Sequence, residues 1–123
     1  MNCEIGDIVL INNFSYPDGS IGSLHSFVVI DIEKDELEVM PLEYLCFLLS
    51  SSKAKENMPH NVPIIKDSLN RLKKDSHVKC DYIYGGITKD DIIMVVGSVT
   101  PEQLESFWDA YEAFLDSLES SLF

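Results

Sequence analysis

A chain of 123 residues that is 46% hydrophobic is long enough to bury one core, which excludes a disordered tail and leaves a single domain, 1–123. Its formal charge of −12 weighs against general phosphate binding, because affinity for RNA or DNA comes from lysine and arginine. Cys3, Cys46 and Cys80 are odd in number, far apart and without CxxC spacing, a pattern that fits neither a disulfide framework nor a zinc site and suits a reducing compartment.

The opening MNCEIGD lacks the basic start of a signal peptide, and no apolar run reaches membrane-spanning length. The expectation is a cytoplasmic protein with no membrane partner and no bound metal. Ile8–Ile11 is apolar and β-branched, and so is Phe27–Ile30, so both read as buried strands. Between them Pro17, Asp18, Gly19, Ser20, Gly22 and Ser23 form a polar loop of the kind that carries function on a rigid scaffold. His25 follows it and is the one group in this half of the chain that titrates near neutral pH.

Asp31–Glu36 is charged turn chemistry, and Leu37–Met40 alternates like a half-buried strand, which predicts a hairpin ended by Pro41. The acids from Asp31 to Glu38 read as a solvated hairpin end rather than a metal site, since one ribbon does not make carboxylates converge. Tyr44–Leu49 is a short buried strand or helix, and Ser50–Asn57 is a mobile polar loop. Val62–Ile65 reads as an edge strand because of Pro63, Ser68–Lys74 as a helical turn, and Val78–Tyr84 as a strand stopped by Gly85 and Gly86. Thr88–Asp91 is a capped turn before the strand Ile92–Val96.

The charge is uneven. Lys53, Lys55, Lys66, Arg71, Lys73, Lys74 and Lys79 face only Glu56, Asp67 and Asp75 in their stretch, and nothing after Lys89 is basic. The lysines of that stretch are phosphate ligands or a solvated face. His60 and His77 fall in polar loops and are expected at the surface.

A helix over 101–120 closes the chain. Thr100 is its N-cap, Pro101 its first residue, and Gln103 completes a capping box. Leu104, Phe107, Trp108, Tyr111, Phe114, Leu115 and Leu118 form one apolar stripe, opposite Glu105, Asp109, Glu112, Asp116 and Glu119. Core packing explains such a stripe first, and a dimer or partner surface second. The whole reads as mainly β with a C-terminal helix, a small bent sheet or barrel.

Three stretches resemble the PemK/MazF family of toxin endoribonucleases. The first is Gly6–Ile11, with the loop Asp18-Gly19-Ser20 to Ser23 and the strand Phe27–Ile30. The second is SLNRLKKDSHVKCD, 68–81, similar to the family's L-x-K-x-S-x-V-x-C-D run. The third is Ile92–Leu104 with the helix behind it, in which Val96–Leu104, VGSVTPEQL, is similar to the family's I-G-x-L-S-x-E-x-M ending. The resemblance implies a small SH3-like (PemK/MazF-like) β-barrel, a homodimer, a small antitoxin partner, and metal-independent cleavage of single-stranded RNA through its own 2′-hydroxyl. It also implies an arginine after the first loop and a threonine near the end of the third strand. This chain has His25-Ser26 at the first position, and Pro41-Leu42-Glu43 where the third strand is expected to end.

His25 is therefore the candidate proton carrier, with Glu43 as its acid–base partner. Ser20, Ser23, Lys73, Lys74 and Lys79 are the candidate RNA ligands, and Lys79 or its basic neighbours would offset phosphorane charge. Two other classes fit the same residues: a catalytically inactive binding module, and a toxin resembling the gyrase poisons that acts by protein contact through Ser117–Phe123.

Overall fold

A computed structural model describes residues 2–53 and 57–122. Lys55 and Phe123, and the 54–56 part of the expected mobile loop, lie outside the described residues. In chain order the elements are β1 (Asp7–Ile11), β2 (Phe14–Ser15), β3 (Ile21–Gly22), β4 (His25–Lys34), β5 (Pro41–Ser50), β6 (Asn61–Ile64), β7 (Ser76–Ile87), β8 (Ile92–Ser98) and α1 (Pro101–Leu122). Six strands form one antiparallel sheet in the order β6-β7-β5-β4-β1-β8, and β2 pairs with β3 in a separate ribbon. Among the described residues no ladder joins the edges β6 and β8.

The centre of the sheet is apolar on both faces, which is why Phe27–Ile30 and Tyr44–Leu49 read as unbroken hydrophobic runs rather than alternations. On one face Val9, Phe27, Val29, Cys46, Leu48 and Tyr84 pack with Phe14 of the small ribbon. On the other, Ile8, Val28, Ile30, Phe47, Leu49 and Val78 pack under α1. The register Val28↔Phe47 and Phe27↔Leu48 keeps these two sets apart.

α1 starts where the sequence places it. Thr100 N–H donates to Gln103 Oε1 at 2.9 Å, and Gln103 N–H donates to Thr100 Oγ1 at 3.1 Å. The apolar stripe divides in two. Phe107 is buried, and Trp108 and Tyr111 set their rings 6.0 and 5.8 Å from Phe47. Leu115, Leu118 and Leu122 are exposed.

Two expectations need correction and one holds. The strand expected at Leu37–Met40 is the hairpin turn itself, with Leu37 and Val39 in solvent. Asp35 builds that turn by accepting from the amides of Val39 and Met40, and Pro41 begins the strand instead of ending one. The helical turn expected over Ser68–Lys74 is present as a single turn: Arg71 N–H donates to Asp67 O at 3.0 Å, and the Asp67 carboxylate caps it by accepting from the amides of Leu69 and Asn70. Finally, β7 runs through Gly85 and Gly86 to Ile87.

The loop between β6 and β7 is organised from within by Asn70. This residue is fully buried, donates to Ile65 O and accepts from Asp67 N–H and Leu72 N–H. Ser98 N–H donates to Leu69 O at 3.1 Å, and a Cβ on Gly97 would stand 2.3 Å from Asn70 O. Gly97→Ala should therefore lift this loop from β8 and cost about 2 kcal/mol or more, read as a lowered denaturation midpoint at unchanged slope. Burial and Asp7 push the Cys3 thiol up to about 11, and burial pushes Cys80 up to about 12 and raises Cys46 as well. Folded thiols thus keep protons that the unfolded chain releases above about pH 8.5, so their contribution to stability is intact below that pH and is lost as pH rises past it. At neutral pH a thiol-alkylating reagent should leave Cys46 and Cys80 unmodified until denaturant is added.

Candidate functional site

The first residues of β4 and the last of β5 meet at one end of the sheet. Leu24 enters β4 with φ of 48°, a left-handed conformation that turns the chain sharply before His25. His25 Nε2 lies 2.8 Å from Leu49 O. A carbonyl only accepts, so Nε2 carries the proton and Nδ1 of the neutral ring is left as the acceptor. Leu24, His25, Ser26, Ser50, Ser51 and Ser52 border a depression of about 450 Å³.

Two further depressions adjoin it. One of about 560 Å³ is lined by Lys53, Lys66, Lys73, Lys74 and His77, and one of about 500 Å³ by Arg71, Lys73, Lys74, Met94 and Val96. Ser51 and Ser76 line all three, so they form one groove. Among the described residues five lysines and arginines line it, Lys53, Lys66, Arg71, Lys73 and Lys74, against one carboxylate, Asp75. Asp75 is itself turned to the backbone, accepting from Lys66 N–H at 2.9 Å. A cationic channel in an acidic protein focuses field onto one face.

The remaining expected site residues lie elsewhere. Glu43 sits opposite Glu33, at the far end of the β4–β5 ladder, on the order of 20 Å from His25 at about 3.3 Å per residue. Its carboxylate accepts from Gly86 N–H, so it is no partner for His25. Ser20 is tied into the β2–β3 turn, donating both Oγ–H and N–H to Asp18 Oδ1 and so holding that carboxyl below its usual range. Ser20, Ser23 and Lys79 do not line the groove, and Lys79 is half-buried opposite Leu48 and Asn61. His77 is buried where β5 and β6 meet β7, and His60 rests its ring 5.3 Å from Phe114, so neither is the surface histidine expected.

Ser50, Ser51, Ser52 and Ser26 were not legible as site residues. With the third long strand placed at Leu37–Met40, its end falls on Pro41–Glu43, which has no hydroxyl near His25. The strand is Pro41–Ser50, and its end carries three consecutive serines. The signal was present as a six-residue apolar run followed at once by that serine triplet. Among the described residues no three His, Cys, Asp or Glu side chains are grouped as metal ligands.

No protein-family model and no curated protein sequence matches the chain. Solved structures do match. The Mycobacterium tuberculosis toxin MazF-mt6 superposes with a TM-score of 0.63 at 15% identity, over 89% of this chain and 96% of that one. An endoribonuclease in complex with its cognate antitoxin, from a Mycobacterial species, gives 0.63 at 16% identity, over 94% of this chain and 96% of that one. The chain has the fold of the MazF toxins.

Proposed function

We propose that this chain is a PemK/MazF-type toxin, an SH3-like barrel that acts in the cytoplasm as a homodimer, cleaves single-stranded RNA and is neutralised by an antitoxin protein. The observation that carries the reading is the meeting of His25 and Ser50–Ser52 at the head of a groove lined by Lys53, Lys66, Arg71, Lys73 and Lys74. The fold shared with MazF-mt6 and with an endoribonuclease bound to its antitoxin supports it. So does the sequence resemblance, once the end of the third long strand is placed at Ser50. A hydroxyl then stands near the position where the family has threonine, and the histidine stands where the family has arginine.

The chemistry needs no external nucleophile. The RNA 2′-hydroxyl attacks the adjacent phosphorus while its proton passes to Nδ1 of His25. The 5′-oxygen leaves and takes a proton from water held by the Ser50–Ser52 hydroxyls. The products are a 2′,3′-cyclic phosphate and a 5′-hydroxyl end. Lys73 and Lys74 offset the charge that gathers on the phosphorane oxygens, where fixed cations act most strongly. Leu49 O keeps the ring in the tautomer this role requires.

A second reading, a toxin that acts by protein contact as the gyrase poisons do, is favoured by the exposed distal leucines of α1. Purified protein mixed with single-stranded RNA in EDTA separates the two. We expect cleavage that leaves cyclic phosphate ends, stops when the 2′-hydroxyl is removed, and slows by about 10²–10⁴ in His25→Ala. Unchanged cleavage in that variant would move the chemistry away from His25. No cleavage at any concentration would favour the protein-contact reading.

A further inference from the structure

On β7 a bulge borders a second cleft, which shares no lining residue with the basic groove and is joined to His25 through the Phe14 ring, 6.2 Å from the imidazole. The β5–β7 ladder pairs Leu48 with Lys79 and next pairs Cys46 with Tyr84, so two steps along β5 span five along β7. The surplus residues arch away from the partner strand, and bulges of this kind re-aim side chains beside sites. Here the arch carries Tyr82 out of the core. Tyr82 is 41% exposed, with its ring 4.8 Å from that of Tyr84 and at 77° to it.

These rings stand on one side of a cleft of about 240 Å³. Asn13, Ser15, Asp91 and the Gly85–Gly86 backbone line it with them. A Cβ on Gly86 would meet nothing within 4 Å, so the backbone there is open to a ligand. Asp18 and Asp81 act electrostatically on Tyr84, and the Glu43 carboxylate sits on Gly86. Among the described residues no lysine or arginine lines the cleft.

Aromatic rings in one cleft with a carboxylate and with amide and hydroxyl oxygens, and with further carboxylates nearby, favour a flat cation over phosphate. We infer that the Tyr82–Tyr84 cleft is a binding site for a cationic side chain, an arginine presented by a protein partner. The guanidinium lies over Tyr82 and donates to the acceptors of the rim. The cleft is separate from the basic groove, and this assignment does not depend on RNA cleavage.

The test uses the full chain and N-acetyl-arginine-N-methylamide, followed through the backbone amide NMR signals. We expect saturable shifts at Gly85, Gly86 and Ser15 with affinity on the order of millimolar. The neutral, isosteric citrulline analogue should bind about tenfold more weakly, and Tyr82→Ala should weaken the arginine probe about threefold or more while Tyr82→Phe retains it. Asp81→Asn should weaken the probe and flatten its salt dependence. Equal binding of the citrulline analogue, binding of guanosine in place of the arginine probe, or no localised shift in protein whose spectrum remains folded would overturn the assignment.

Discussion

The β4–β5 ladder is the constraint on which the rest of the structure depends. Phe27 opposite Leu48 and Val28 opposite Phe47 divide the apolar residues between two cores, one around Phe14 and Tyr84 and one beneath α1. A slip of one residue would send each set to the wrong face, so the register is strongly enforced by burial on both sides. The same register fixes the site, because it brings the start of β4 to the end of β5 and sets His25 against the Leu49 carbonyl. Site geometry and core packing are therefore two consequences of one pairing.

The charge distribution follows from the same arrangement. The loop between β6 and β7 carries Lys66, Arg71, Lys73 and Lys74; buried Asn70 braces it from within, and Leu69 O ties it to the Ser98 amide of β8. Lys53 arrives from the other side, just past Ser50–Ser52. In a chain of net charge −12 this puts most of the positive charge along one groove, while α1 carries only acids. A strongly acidic protein and a phosphate-binding face are thus compatible in one fold. A second cleft carries the opposite charge, with Tyr82, Tyr84 and Asp91 in its lining and Asp18 and Asp81 acting electrostatically on Tyr84.

Much of the fold was legible from local chemistry. The capping box of Thr100 and Gln103, the capped turn at Thr88–Asp91 and the edge strand at Pro63 are short-range features, and the structure shows each of them. Failures came where a local pattern competed with a longer one. Leu37-Glu38-Val39-Met40 alternates like a strand, yet Asp35 captures the amides of Val39 and Met40 and makes it a turn. The error shifted the strand end by several residues and turned attention from Ser50–Ser52, which the register sets beside His25. Glu43 was paired with His25 for the same reason. The bulge that exposes Tyr82 has no local signature, since it arises from how β7 meets β5 rather than from its own residues.

The claim at the centre of this account is that the groove from His25 to Lys74 holds RNA. The direct measurement is the affinity of a single-stranded RNA, made uncleavable by 2′-O-methylation, as a function of salt for the native chain and for Lys73→Ala/Lys74→Ala. Loss of two phosphate contacts should weaken binding and reduce the slope of log affinity against log salt by about 1.4. An unchanged affinity and slope in that variant would contradict the account.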